Sequence, residues 1–219
     1  MPLFDQAAAA YDQWYTTPFG QFVDGLEREL IFRLAGPQPG EAALDLGCGT
    51  GVQTQALSRY GLRVTGIDIS PEMLARARAK AIPGAVLLEG DAASLPFPDE
   101  AFDLVISVTA FEFMPDPAGA AREAMRVLRP GGRLVLGVLA EGTAWTQRYR
   151  ASPLFATARF FTREDLQALL PQVPCRIEGC LQFGPEAGGD GFTAASGRDL
   201  EAAASAPPAF WAARFDKGV

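Results

Sequence analysis

Ala43-Leu44-Asp45-Leu46-Gly47-Cys48-Gly49-Thr50-Gly51 carries the strongest structural signal in this chain, because an apolar run of strand length leads directly into three alternating glycines. A helical pattern follows at 50–60. A turn of this kind lets backbone N–H groups at a helix N-terminus face a polar or anionic ligand. The pattern predicts a ligand-binding turn at the carboxyl edge of a parallel sheet, with a tight turn that binds nothing as the alternative.

Strand-length apolar runs alternate with helical patterns from residue 42 to residue 139, as in a parallel sheet built from βαβ units. Strands are predicted at 42–46, 62–68, 85–88, 102–108 and 133–139, and helices at 50–60, 71–80 and 117–128. Ser70 before Pro71 is expected to cap the second of these helices. Arg129-Pro130-Gly131-Gly132 is expected to end the third and to turn the chain into the next strand.

The two ends of the chain differ from this core. Aromatic residues crowd the N-terminus and lead into an amphipathic helix predicted at 23–34, which is expected to cover the open edge of the sheet or a ligand. Beyond residue 139 the pattern predicts a helix at 163–170 capped by Thr162 and strands at 173–183 and 209–215, and it leaves 184–208 unassigned. We expect a single domain over 1–219, with a helical lid at 1–40, a binding core at 41–139 and further strands within 140–219.

Composition narrows the classes of function. The chain has 219 residues, of which 48% are hydrophobic and 21% charged, which is ordinary for a folded globular protein. The net charge of -7 excludes nucleic acid as a favourable ligand and points to a small molecule. The three cysteines lack disulfide or zinc spacing and there is no histidine, so no metal site is predicted. No export signal or membrane span is recognisable, so we expect a soluble cytoplasmic protein.

Two carboxylates follow the predicted second and third strands. Asp68 ends the second strand, where it can accept hydrogen bonds from both hydroxyls of a ribose. Asp91 follows the third strand, where it can accept one from an exocyclic amine. Either residue alone could be a helix cap or a solvated loop carboxylate. Together with the glycine turn they favour a nucleoside-binding edge.

In this order the motifs resemble the class I S-adenosylmethionine-dependent methyltransferases, in particular the small-molecule group that includes the quinone-biosynthesis type and methyltransferase type 11. The resemblance covers about half of the chain and runs through LDLGCGTG (44–51), GIDIS (66–70), GDAASLPF (90–97), FDLVIS (102–107) and RVLRPGG (126–132). It implies an α/β, doubly wound, Rossmann-like sheet of seven strands, mostly parallel with an antiparallel last strand, and with helices on both faces. The core would then bind the methyl donor, and residues 140–219 would lie on the acceptor side.

The resemblance also implies roles for individual residues. Gly47 and Gly49 would lie along the methionine part of S-adenosylmethionine, with the Cys48 backbone nearby and Asp45 supporting the turn or the donor's amine. Asp68 would bind the ribose, and Ser107 would border the methionine end. The residues expected around the adenine are Ile69, Met73, Asp91 and Ala92. The product of methyl transfer would be S-adenosylhomocysteine.

Two alternatives stay open. A nicotinamide-dependent oxidoreductase would also have alternating glycines and an acid after the second strand, but its fingerprint needs glycine where Val52 stands. A donor-binding sensor or partner subunit without catalysis would share the donor motifs. The sequence thus favours a methyltransferase acting by in-line methyl transfer to a small molecule.

Candidate acceptor-side residues come from the aromatic N-terminus and from the segment after the fourth strand. Tyr11 and Tyr15 are expected to fold over the donor, and Glu112 is a candidate base, with a structural carboxylate as the alternative. Many related proteins carry a histidine where Phe113 stands. Because this chain has no histidine, an acceptor that ionises readily is favoured, such as a thiol, a phenol or an activated carbon acid. Exposed Trp14 or Trp145 would instead mark a dimer face, so a monomer and a homodimer are both considered.

Overall fold

The computed structural model describes residues 2–189, 192–203 and 206–218. Its strands are Ala42–Leu46 (β1), Arg63–Asp68 (β2), Val86–Glu89 (β3), Phe102–Val108 (β4), Leu128–Leu139 (β5), Cys175–Cys180 (β6) and Phe210–Asp216 (β7). They form one seven-stranded sheet in the order β3-β2-β1-β4-β5-β7-β6. Neighbours from β3 to β5 are parallel, whereas β7 lies antiparallel between β5 and β6. The predicted α/β fold with an antiparallel last strand is confirmed.

Helices flank this sheet. They span Ala8–Tyr11 (α1), Pro18–Ala35 (α2), Val52–Arg59 (α3), Pro71–Ala79 (α4), Pro117–Val127 (α5), Ala144–Arg150 (α6), Arg163–Leu169 (α7) and Ala194–Ala203 (α8). Residues of β4 alternate between two apolar clusters, since Leu104 and Ile106 pack with α2 while Val105 packs with α5 and α7. A strand that is buried on both faces has apolar residues at consecutive positions, as the fully buried Leu104, Val105 and Ile106 do here.

Side-chain caps fix the starts of several helices. Ser70 accepts a hydrogen bond from the Met73 N–H at 3.1 Å, which confirms it as the cap of α4. Thr162 and Asp165 form a reciprocal capping box at the start of α7. Thr17 caps α2 by accepting from the Gly20 N–H at 3.0 Å, so this helix begins at Pro18, five residues before the predicted start at 23. The Thr-Pro pair is the start signal that hydrophobic periodicity missed.

The segment Arg129-Pro130-Gly131-Gly132 corrects a second expectation. The sequence predicts a turn here before a strand at 133, but β5 already begins at Leu128. The Gly131 N–H donates to the Lys217 carbonyl at 2.9 Å, and the Lys217 N–H donates back to the Gly132 carbonyl at 2.9 Å. Because the chain after β7 pairs with this turn, the turn is an irregular start of the strand, with a register shift between Phe102 and Leu104.

The C-terminal half differs most from prediction. The strand predicted at 173–183 is limited to Cys175–Cys180, because Leu181 has φ +61 and leaves the ladder. The N–H groups of Leu181 and Gln182 instead donate to the Glu201 carboxylate, each at 2.8 Å. The unassigned segment 184–208 contains α8, while 190–191 and 204–205 lie outside the described residues. Other predicted ends shift by no more than two residues.

Trp145 does not mark a dimer face. It is only 3% exposed, and its Nε1–H donates to the Phe183 carbonyl at 2.7 Å. Trp14 is half-buried and packs edge-on against Phe19. Within residues 2–189, 192–203 and 206–218, no helix has both the length and the apolar character that crossing a bilayer would need.

Candidate active site

The carboxyl ends of β1, β2, β3 and β4 border a cavity of about 310 Å³. Strand order reverses between β1 and β4, and open α/β sheets bind ligands at the carboxyl edge beside such a reversal. All the predicted site residues except Ser107 and Glu112 line this cavity; these are Tyr11, Tyr15, Asp45, Gly47, Cys48, Gly49, Asp68, Ile69, Met73, Asp91 and Ala92. The fold therefore brings together residues that are scattered between Tyr11 and Ala92 in the sequence.

The three glycines of the turn after β1 share a left-handed backbone conformation but differ in their surroundings. Gly47, Gly49 and Gly51 all have positive φ, at +74, +52 and +80. A Cβ at Gly47 would lie 2.5 Å from the Ala110 Cβ, and one at Gly51 would lie 2.8 Å from the Ile82 Cδ1. A Cβ at Gly49 would meet only the Met73 Cε, at 3.9 Å. Glycine is thus required by packing at the two outer positions, whereas at Gly49 its absent side chain leaves space for a ligand.

Asp68 is held in a fixed orientation beside this turn. Its Oδ2 accepts from the Gly49 N–H at 2.7 Å and its Oδ1 accepts from the Ser70 N–H at 2.8 Å. Burial raises the pKa of this carboxyl, and the backbone donors act in the opposite direction. Each oxygen keeps acceptor capacity beyond these bonds, so an oriented carboxylate borders the cavity and can accept from a ligand's hydroxyls.

Two apolar side chains and a second carboxylate lie along the same edge of the cavity. Ile69 is 57% exposed and Met73 is 3% exposed, and both line the cavity next to Asp68. An exposed isoleucine at the mouth of a cavity suits the face of a planar ring. Asp91 is exposed, and its Oδ1 accepts from the Ala93 N–H at 2.9 Å, which positions the carboxylate beside Ala92.

Asp45 lies deeper and is 2% exposed. Its Oδ2 accepts from the Thr54 hydroxyl at 2.6 Å, and burial raises its pKa to about 7. Burial also raises the pKa of the neighbouring Cys48 thiol well above its usual range, so that sulfur is a neutral, unreactive group. A buried carboxyl that is half-ionised near neutral pH is well placed to receive a positively charged ligand group.

Sequence reasoning missed three polar residues around the cavity. Gln53 lines it and is 9% exposed, and its Oε1 has no hydrogen-bond partner among the described atoms. Thr50 also lines the cavity and donates to the Asp12 carboxylate at 2.6 Å. Lys80, at the end of α4, forms an ion pair with Asp12 at 2.8 Å. Only the four-residue spacing from Gly49 could have indicated Gln53, which is the second residue of α3 and so lies next to the glycine turn.

The N-terminal segment lies over the cavity. Phe4, Tyr11 and Tyr15 line it, and the Ser70 hydroxyl donates to the Asp5 carboxylate at 2.6 Å. The contacts that Asp12 makes to Thr50 and Lys80 hold the segment at a second point. These polar contacts attach the segment to the same loops that border the ligand cavity.

Ser107 and Glu112 lie behind the cavity wall. The Ser107 hydroxyl donates to the Leu46 carbonyl at 2.6 Å, so it supports the strand before the glycine turn. Glu112 is 2% exposed, and its Oε1 accepts from the Leu139 N–H at 2.6 Å. Its Oε2 has no hydrogen-bond partner among the described atoms, and burial raises its pKa to about 7. The structure therefore gives Glu112 a contact with the main chain and one unsatisfied oxygen.

Comparison with known proteins agrees with this geometry. A family model described as a methyltransferase domain matches residues 44–136. Demethylmenaquinone methyltransferase from Tropheryma whipplei (strain Twist) is 41% identical over 139 residues, which cover 61% of this chain and 56% of that protein. The chain thus spans little more than half the length of that curated relative.

Two further proteins match over more of the chain. An uncharacterized protein from Mycobacterium tuberculosis (strain ATCC 25618 / H37Rv) is 33% identical over 209 residues, covering 87% of this chain and 69% of that protein. A crystal structure from Thermotoga maritima, described as an SAM-dependent methyltransferase and possible histamine N-methyltransferase, is 25% identical, with a TM-score of 0.71 over 98% of each chain. The sheet order, the residues that line the cavity at the carboxyl edge of the sheet and these matches together show that the chain belongs to the class I S-adenosylmethionine-dependent methyltransferases.

Proposed function

We propose that this protein binds S-adenosylmethionine in the cavity at the carboxyl edge of the sheet and transfers its methyl group to a small organic acceptor. The observation that supports this most strongly is the juxtaposition of Gly49 and Asp68. The open space at Gly49 lies beside a carboxylate that two backbone donors hold in place. A ribose between an amino-acid moiety and a base needs such an acceptor at its hydroxyls.

We assign the donor-site residues in the order in which they follow the rim. Gly47, Cys48 and Gly49 would contact the methionine part, and Asp45 would receive its ammonium. Asp68 would bind the ribose hydroxyls. The adenine would lie between Ile69 and Met73, with Asp91 and the Ala92 backbone at its edge. Ser107 would act indirectly, since its hydroxyl reaches Leu46 and not the cavity.

The chemistry that the donor supplies when bound is a methyl group on a positively charged sulfur; the acceptor's electron pair forms the new bond to carbon while the carbon–sulfur pair stays on sulfur. The chain's own contribution is to position the acceptor and to exclude water. Tyr11, Tyr15 and Phe113 also line the cavity. Phe113 follows β4, which lies on the opposite side of β1 from β2 and β3, and an acceptor would approach there. The N-terminal segment would serve as the lid that holds these rings in place.

Ligand-induced stabilisation tests the donor site. S-adenosylmethionine and S-adenosylhomocysteine are expected to raise the melting temperature, and NAD is expected to leave it unchanged, because a ligand that binds only the folded state stabilises it. A shift with NAD alone would favour the oxidoreductase. Detection of a methylated product by mass spectrometry then separates an enzyme from a donor-binding sensor or partner subunit, and sedimentation gives monomer or homodimer.

A further inference from the structure

The charged side chains that line the cavity are all acidic. Within the described part of the chain they are Asp45, Asp68 and Asp91, and no lysine or arginine lines the cavity there. Lys80 reaches the wall at Thr50, to whose hydroxyl it donates at 3.1 Å, but its charge is paired with Asp12 at 2.8 Å. Among these residues a zwitterionic ligand group would therefore find side-chain countercharge for its cation and none for its anion.

Gln53 adds an unsatisfied hydrogen-bond acceptor to this cavity. It is the second residue of α3, lines the cavity and is 9% exposed. Its Oε1 is buried, and no described atom donates a hydrogen bond to it. A buried carbonyl oxygen that lacks a donor destabilises the fold unless a ligand supplies one. Gln53 is therefore positioned for a ligand that brings an N–H or O–H group.

The same turn of α3 connects Gln53 to a buried acid. Thr54, the next residue, donates to the Asp45 carboxylate at 2.6 Å, and Asp45 is 2% exposed. Asp45 and Gln53 line the cavity together with Gly49, where the absent side chain leaves space. A carboxylate and an amide oxygen in one cavity are acceptors that suit an ammonium, which has three N–H donors and a positive charge.

The methionine part of S-adenosylmethionine carries an ammonium and a carboxylate on the same carbon. The ammonium would meet the acceptors of Asp45 and Gln53. The carboxylate would meet uncharged donors only, such as the backbone N–H groups at the start of α3, because none of the described lining residues is basic. Uncharged donors stabilise an anion less than a charged partner does, so the two groups would contribute unequally to affinity.

We propose that this chain recognises the methionine part of its donor through the ammonium, with Asp45 and Gln53 as the binding residues, and that the carboxylate adds little affinity. This rests on the proposed function, to whose donor site it adds Gln53 and a preference between the two ligand groups. The site then also takes donors that lack the carboxylate. Decarboxylated S-adenosylmethionine is such a compound, since it keeps the adenosine, the sulfonium and the ammonium.

Four adenosine thioethers separate the contributions of the two groups on the full chain. S-adenosylhomocysteine carries both groups, aminopropyl-thioadenosine only the ammonium, carboxypropyl-thioadenosine only the carboxylate, and methylthioadenosine neither. Calorimetry at pH 7 is expected to show a loss of affinity of at most about five-fold without the carboxylate and of at least about twenty-fold without the ammonium. An equal loss for the two groups, or a larger loss without the carboxylate, would overturn the proposal.

Two variants of α3 locate the effect at Gln53. Gln53→Leu puts in a side chain of similar size that cannot accept a hydrogen bond. It is expected to weaken S-adenosylhomocysteine and aminopropyl-thioadenosine at least about ten-fold and to leave carboxypropyl-thioadenosine unchanged. Gln55→Leu is the matched control, because Gln55 lies on the same helix and is not among the residues that line the cavity.

The stability of the ligand-free variant distinguishes a binding role from a structural one. The melting temperature of Gln53→Leu should not fall, since the substitution removes an unpaired buried oxygen. Equal weakening of all four thioethers by Gln53→Leu would show a general loss of packing and refute the assignment. Should this variant not fold, the four thioethers on the unaltered chain decide alone.

A melting assay separates this inference from the function on which it rests. Decarboxylated S-adenosylmethionine and S-adenosylmethionine at equal concentration are expected to give similar upward shifts, because a ligand that binds only the folded state stabilises it. A shift with S-adenosylmethionine alone would overturn recognition through the ammonium and leave the proposed function intact. No shift with either compound or with S-adenosylhomocysteine would refute the proposed function itself, and this inference with it.

Discussion

The donor rim and the acceptor side of the cavity are built by opposite means. The donor rim comes from three successive strand ends between residues 45 and 92, and its carboxylates accept from backbone N–H groups or a buried hydroxyl. The acceptor side comes from residues as far apart as Phe4 and Phe155, whose rings pack against Phe113 with centroids 4.7 and 5.4 Å away. The first arrangement is held by backbone hydrogen bonds, whereas the second depends on side chains from separate segments.

This difference indicates how a fold can keep the same donor site while the residues of its acceptor site change. A backbone-supported rim tolerates little variation, because glycine and a fixed carboxylate determine its shape. Side chains on a lid, a loop and a helix can be replaced one at a time without disturbing the sheet. The variants below test whether substitutions on one side of the cavity act independently of those on the other side.

The largest effect is expected at the donor rim from Asp68→Ala. Loss of two hydrogen bonds from ribose hydroxyls to a charged group, at about 1.5 to 3 kcal/mol each, should weaken S-adenosylhomocysteine binding at least about a hundred-fold. Titration calorimetry measures this directly.

Asp68→Asn is the matched control, because it keeps the shape and one acceptor oxygen for Gly49 or Ser70. It is expected to lose less affinity for S-adenosylhomocysteine than Asp68→Ala. Wild-type affinity in Asp68→Ala would remove the ribose assignment.

The next effect is a pH dependence that originates on the acceptor side. Burial raises the pKa of Glu112 from 4.5 to about 7, so over this window the folded protein holds a proton that the unfolded chain has released. The free energy of unfolding therefore falls as pH rises from 4.5 to 7, and Glu112 contributes about 3 kcal/mol to the fall. Asp45, raised by burial from 3.8 to about 7, contributes in the same direction.

Urea unfolding at pH 5 and pH 8 measures this fall. In Glu112→Gln the difference between the two pH values should shrink by about 3 kcal/mol, because a neutral amide carries no such proton. Glu29→Gln, which removes one exposed charge, corrects for the altered net charge. An unaltered pH difference in Glu112→Gln would show that burial does not raise the pKa of this carboxyl in the folded protein.

A smaller effect distinguishes the free-energy cost of overpacking at the glycine turn from the cost of a left-handed backbone conformation. Gly47 has φ +74 with its missing Cβ 2.5 Å from Ala110, whereas Gly84 has φ +70 with nothing within 4 Å of that position. Both alanine variants should lose about 1 kcal/mol from the left-handed conformation. Gly47→Ala should lose about 1 to 3 kcal/mol more from overpacking, together with donor affinity. Chemical denaturation measures the loss of stability in the two variants, and calorimetry measures the loss of donor affinity. Equal losses of stability would contradict the contact between a Cβ at residue 47 and Ala110.

The donor rim could be predicted from sequence because its signals are local. Strand ends, glycines and following acids occur in a fixed order, and Asp68 and Asp91 reach one cavity simply because the strands are parallel. The acceptor side could not be derived in this way. The contacts of Phe155 with Phe113 and Tyr149 depend on how separate segments pack together, and no spacing along the chain encodes them. Likewise, Leu181 leaves its strand because a carboxylate 20 residues away receives its N–H.

The smallest expected effect lies where the two sides meet, in the attachment of the N-terminal segment. Asp12 contacts Thr50 and Lys80 at 2.6 and 2.8 Å, and such partly exposed pairs contribute about 0.2 to 1 kcal/mol. Asp12→Ala should therefore speed dissociation of S-adenosylhomocysteine by about two- to five-fold in stopped-flow measurements. Asp99→Ala, which breaks a similar 2.8 Å pair with Arg126 away from the cavity, is the control. An unchanged dissociation rate in Asp12→Ala would contradict the role of these contacts in holding Tyr11 and Tyr15 over the cavity.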